Sequence, residues 1–192
     1  MAPPFQITPR VFAAISRIDQ SLGRLQGLSV TQPQPLLRKR NHVRSVQASA
    51  AIEGNALSVE QVTALLEGKR VLGRERDLRE ILNVNEAYEQ LGRWTPTKRK
   101  SLLEAHAALM KGVIPDAGRF RTSGVGVFGD ERLTHLAPPA HLVSDQVDEL
   151  FRWLRRAEVP VLIAGCVVHY ELLFIHPFTD GNGRIARLWQ QV

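Results

Sequence analysis

The stretch His176-Pro177-Phe178-Thr179-Asp180-Gly181-Asn182-Gly183-Arg184-Ile185-Ala186-Arg187 puts a base, a carboxylate, two glycines, an amide and two arginines into twelve residues. Packing alone requires no such collection. Gly181 and Gly183 permit a tight turn with exposed amides directly ahead of a helix, and a helix start of that kind attracts phosphate oxygens. Arg184 and Arg187, three residues apart, project from one side of the opening turn and can add paired hydrogen bonds to further phosphates. A polyphosphate suits this pattern. Asp180 can hold Mg2+, which takes one or two carboxylates plus phosphate oxygens. His176, just before the turn, can take a proton from an attacking hydroxyl near neutral pH.

Outward from this stretch, helical periodicity dominates and strand alternation is scarce, which predicts an all-α fold. Residues 160–174 are apolar throughout and read as a helix running through the centre of the fold. The helix that begins near Gly183 is still apolar at Leu188-Trp189 and shows no stop signal, so the sequence reads as ending inside an element. Upstream, helices are predicted over about 9–26, 38–53, 58–67, 75–91, 97–111 and 140–156. Thr31-Gln32-Pro33-Gln34-Pro35 reads as a linker. Ser58-Val59-Glu60-Gln61 offers a capping box, and Thr95-Pro96-Thr97 a cap with a proline suited to a first turn. From Gly118 to Pro139 the pattern breaks, and Val125 to about Leu136 reads as a two-stranded hairpin.

Composition agrees with one globular unit: 192 residues, 44% apolar and 23% charged, with no internal repeat. No apolar run is long enough to span a bilayer, and no secretory leader is evident. The single Cys166 has no intrachain partner and reads as a small buried hydrophobe, consistent with a reducing, cytoplasmic compartment. A net charge of +6 suits an anionic partner without choosing among nucleotide, nucleic acid and acidic protein. Arg38-Lys39-Arg40 reads as solvated helix surface. His106, His135, His141 and His169 lack zinc-ligand spacing and read as surface or core residues, and Trp94, Trp153 and Trp189 as packing.

Residues 176–187 resemble the Fic signature H-x-F-x-D/E-G-N-G-R-x-x-R at all eight specified positions. The resemblance implies a Fic-like helical core at 71–192 with a hairpin flap at about 118–139, preceded by an N-terminal helical region at 1–70. It further implies protein adenylyltransfer from ATP with Mg2+. His176 would be the general base, Phe178 the anchor of the loop, and Asp180 the metal ligand. Gly181, Asn182 and Gly183 would form the anion loop, with Arg184 on the phosphates and Arg187 on the γ-phosphate, and Asn182 and Arg184 would join His176 among the catalytic residues. Gly183 favours AMP transfer over the phosphorylation performed by relatives with lysine there. The flap, bounded by Gly118-Arg119-Phe120-Arg121 and Pro138-Pro139, would hold a protein target as an added strand. Self-modification, a homodimer, and nucleic-acid contact through a further region after Val192 stay open.

Ser49-Ala50-Ala51-Ile52-Glu53-Gly54-Asn55 resembles the family's inhibitory motif S/T-x-x-x-E-G/N, on a helix at about 38–54. Ser49 and Glu53 are four residues apart and face one side of that helix, so the resemblance implies that Glu53 reaches Arg187 where a phosphate should sit. Two alternatives stand beside an autoinhibited transferase: a hydrolase that removes AMP with Glu53 positioning water, and a non-enzymatic nucleotide sensor.

Overall fold

The computed structural model describes residues 3–27, 35–129 and 132–192, with the main chain alone at 127–129 and 132–135. The fold is all-α. Its helices are α1 (Pro9–Gly27), α2 (Pro35–Ala51), α3 (Val59–Leu66), α4 (Glu75–Glu89), α5 (Arg99–Met110), α6 (Val143–Leu154), α7 (Val161–Ile175) and α8 (Asn182–Trp189). Between α5 and α6 two short strands, β1 (Gly126–Gly129) and β2 (Arg132–Leu136), pair antiparallel, with Gly126 opposite Leu136 and a register shift after Val127.

The core forms where α4 packs on α2 and α5, and α7 on α6 and α8. Val46, Ile81, Val84, Leu102, Leu109, Leu172, Ile185 and Leu188 are fully buried and knit these helices together. The short α8 therefore sits against α7, α5 and α2 at once, which brings Arg187 to the end of α2 and Arg184 to α4. The capping box at Ser58 is present in both directions: Gln61 N–H donates to Ser58 Oγ at 3.2 Å, and Ser58 N–H donates to Gln61 Oε1 at 2.9 Å.

Several sequence expectations change. Pro35 opens α2 three residues earlier than expected, since a proline in the first turn gives up no hydrogen bond. The rest of the expected linker, 31–34, lies outside the described residues. Helix α5 starts at Arg99 with no side-chain cap; Ser101 Oγ instead accepts from Thr95 N–H at 3.1 Å. Helix α8 ends at Trp189. Helix α7 is not enclosed: Ile163, Val167, Leu172 and Ile175 face inward, whereas Leu162, Cys166, Tyr170 and Phe174, each four residues on, form an exposed stripe. Cys166 is thus exposed rather than buried.

Candidate active site

Helix α7 delivers His176 to the site. Pro177 disfavours helical backbone at the residue before it, so the helix stops there. His176 adopts the left-handed conformation (φ 50°, ψ 60°), the one non-glycine residue among those described with positive φ. Its N–H still donates to Leu172 O at 3.0 Å, so the last turn closes while the ring leaves the helix direction. Nδ1 lies 3.3 Å from Leu173 O, and a carbonyl there assigns the proton to Nδ1 and leaves Nε2 as the basic nitrogen.

The loop after His176 is built from inside. Phe178 is fully buried and its ring stacks on His106 with centroids 3.6 Å apart and planes 8° from parallel. Asn182 closes the loop on itself: its Oδ1 accepts from Phe178 N–H at 2.9 Å and its Nδ2 donates to Phe178 O at 2.8 Å. The Asn182 side chain thereby holds the loop closed. Gly181 turns the chain at φ 79°, and a side chain there would meet Met110 Sδ at 2.6 Å. Gly181→Ala combines left-handed strain with overpacking, so it is expected to destabilise the fold by about 2–4 kcal/mol in urea unfolding.

His106 lies on α5. It is fully buried, accepts from Gly118 N–H at Nδ1 (2.9 Å) and donates from Nε2 to Asp180 O (3.0 Å). Burial pushes its pKa down from 6.5 to about 4 despite the favourable Asp180 carbonyl. The ring is neutral in the folded state while the unfolded chain protonates near 6.5, so this contribution is full above pH 6.5 and is lost as pH falls to about 4. The loss amounts to about 3 kcal/mol. Unfolding free energies at pH 7.5 and 4.5 are expected to differ by that much more in the parent than in His106→Gln.

Arg184 is 3% exposed and lies between two carboxylates, Nη1 at 3.1 Å from Glu80 Oε1 and Nη2 at 3.3 Å from Asp180 Oδ1. The Glu80 contact is an ion pair without hydrogen-bond alignment, so Nε and Nη1 of this buried guanidinium make no hydrogen bond among the described residues. Buried donors in that state suit an anion. Asp180 is half-exposed; Oδ1 accepts from Gly181 N–H, and Oδ2 lies 3.2 Å from the exposed Arg76. One accessible carboxylate beside a glycine turn at a helix start fits an Mg2+ ion whose other ligands are phosphates. No cluster of three or more His, Cys, Asp or Glu among the described residues could hold a metal by itself.

The end of α2 faces the same turn. Asn55 N–H donates to Ala50 O and Gly54 N–H to Ala51 O, with Gly54 at φ 86°: a Schellman closure that puts Glu53 at the helix cap, just past the regular helix. Asn55 Nδ2 then donates to Asp77 O at 3.0 Å and Glu80 Oε2 at 3.3 Å, which pins the closure to α4. A carboxylate at a helix C-terminus opposes the helix dipole and needs a cation. Arg187 supplies it: Nη2 donates to Glu53 Oε1 at 2.7 Å and to Ser49 O at 2.9 Å, and Nε to Ser49 Oγ at 3.2 Å. The pair is half-buried, at 22% and 29% exposure. Glu53 Oε1 also lies directly over Gly183, where any Cβ would collide with it and approach Arg187 Nη1 to 3.0 Å. Glu53, Asn55, Arg76, Glu80, Asp180 and Arg184 help line a polar cavity of about 210 Å³, below the ~300–1,000 Å³ of ligand pockets.

The structure thus gathers His176, Asp180, Gly181, Asn182, Gly183, Arg184 and Arg187 with Ser49, Glu53, Gly54 and Asn55. Glu80, His106 and Arg121, to which sequence reading assigns no part in the site, support it from α4, α5 and the chain before β1. The Fic/DOC family profile matches residues 96–192, half of the chain. The chain belongs to the Fic/DOC family. A Fic family protein from Desulfovibrio desulfuricans G20 is 44% identical and superposes with a TM-score of 0.94 over 99% of this chain and 58% of its own. The curated protein adenylyltransferase Fic of Nematostella vectensis is 28% identical over 91% of this chain and 42% of its own length. That of Aedes aegypti is 32% identical over 90% and 36%. This Fic chain therefore spans well under half the length of those curated relatives. No helix among the described residues is long and apolar enough to cross a membrane.

Proposed function

We propose that this Fic chain transfers AMP from ATP to a Ser, Thr or Tyr hydroxyl of a protein, and that Glu53 restrains the transfer. The target oxygen attacks the α-phosphorus, its proton passes to His176 Nε2, and the bond to the bridging oxygen breaks so that pyrophosphate leaves with the electron pair. The turn at Gly181–Gly183 and the unbonded donors of Arg184 support a triphosphate at the head of α8. Mg2+ held at Asp180 would neutralise phosphate charge. The names of the curated relatives support the same chemistry. Target and base would meet at the hairpin β1–β2, along which an extended target segment, or a second copy of this chain, can add as a strand. The lone, exposed thiol of Cys166 favours a reducing, cytoplasmic setting.

The observation that carries the restraint is the Glu53 carboxylate on Arg187 above Gly183. In that arrangement a γ-phosphate meets a like charge and loses its guanidinium, so binding persists while the α-phosphate is presented badly for attack. Incubating the parent and Glu53→Gly with labelled ATP, UTP and GTP, and locating label on protein by mass spectrometry, tests this. AMP adducts that increase in Glu53→Gly support the proposal. Equal labelling in both proteins would remove the restraint. Release of AMP from a premodified protein, slowed by Glu53→Gly, would instead make Glu53 the residue that positions water.

A further inference from the structure

Arg121 lies 55 residues before His176 in sequence and outside the signature, yet it is 2% exposed. A guanidinium taken out of water costs free energy unless its donors are met. Among the described residues Arg121 forms no ion pair, and its hydrogen bonds all go to main-chain carbonyls. Nε donates to His176 O at 2.7 Å, Nη1 to Ser123 O at 2.9 Å, and Nη2 to Pro138 O at 2.5 Å and Ile175 O at 3.2 Å. Its own N–H donates to Pro177 O at 3.0 Å.

These acceptors belong to two places. Ile175 and His176 end α7, where carbonyls lack helical partners and carry the negative end of the dipole, so a cation is satisfied there without a carboxylate. Ser123 and Pro138 are the two feet of the hairpin, just before β1 and just after β2, which Ala137 N–H closes onto Val125 O at 3.2 Å. One planar side chain thus joins both feet to the peptide that carries the imidazole. That peptide needs holding, because His176 sits in backbone that L-residues adopt only under constraint. Lysine could keep the charge, but its ammonium cannot reach four carbonyls in one plane.

We infer that Arg121 is a positioning residue that locks the hairpin and His176 into one unit, so that a hydroxyl laid along the hairpin and the base that deprotonates it keep a single geometry. The catalytic half of this inference rests on the AMP transfer proposed above; the coupling itself does not.

Two experiments test it. In the parent protein, native-state hydrogen exchange in rising urea is expected to show the amides of Arg121 and Ala137 opening together with one denaturant dependence. Separate openings overturn the lock, and this readout needs no variant to fold. In the Glu53→Gly background, Arg121→Lys is expected to lower kcat for AMP incorporation by about 10–100-fold, as for a displaced catalytic group, with KM for ATP within about threefold. Its amides at 123–138 and 176–183 should exchange faster together while those of α2 and α4 keep parental rates. Unchanged kcat, a rise in KM alone, or faster exchange confined to the hairpin would each overturn the inference. Absence of AMP incorporation in Glu53→Gly itself would sink the proposed chemistry and leave the exchange result to decide the coupling.

Discussion

Glu53→Gly raises the rate of AMP incorporation by about 10–100-fold at fixed ATP. A charge-assisted hydrogen bond contributes roughly 1.5–3 kcal/mol, and each 1.4 kcal/mol is a factor of ten. Partial exposure of both partners screens the pair and holds its contribution below that of a fully buried one. Removing the carboxylate does two things: it releases Arg187 Nη2 for the γ-phosphate and clears the space above Gly183. Glu53→Gln separates them, because it keeps the shape and loses the charge. If charge competition is the main effect, Gln gives more than half of the logarithmic gain of Gly; if space is, Gln resembles the parent. The fold should tolerate both, since Glu53 is at a helix cap where its charge opposes the dipole.

His176→Ala in the Glu53→Gly background lowers incorporation by about 10²–10⁴-fold, the usual contribution of a positioned general base. ATP affinity should stay within about threefold, because in the proposed function the turn and the guanidiniums, not His176, meet the phosphates. Alanine is strained in left-handed backbone, so part of any loss could come from a distorted loop. His176→Asn controls for that, as asparagine accepts this conformation and cannot take the proton. It is expected to be as inactive as alanine and more stable to heat; activity retained in either variant would remove His176 from the chemistry.

Much of the site was legible because its parts are local. The turn, the base and both arginines fall within twelve residues, the capping box spans four, and Ser49 on α2 and Glu53 at its cap are four residues apart and meet the same guanidinium. What surrounds the site was not legible, because its partners are distant in sequence. Nothing local indicates that Glu80 sits between Asn55 and Arg184, or that Arg121 reaches the end of α7. His106 did carry a signal. It lies on the same face of α5 as Leu102 and Leu109, so an ionisable ring on a buried stripe asked for polar partners. Cys166 and the exposed stripe of α7 show the limit of periodicity: in a helix apolar on every side, no residue pattern says which side the core will cover.

Fold and chemistry meet at Arg187, which Ser49 orients from the main chain and side chain of α2 while Glu53 accepts from Nη2. A double-mutant cycle over Glu53→Gly and Arg187→Ala, read as the rate of AMP incorporation, tests that competition most directly. If the carboxylate acts by occupying this guanidinium, Glu53→Gly stimulates the parent but gives less than about a twofold gain once Arg187 is absent. Full stimulation without Arg187 would contradict it.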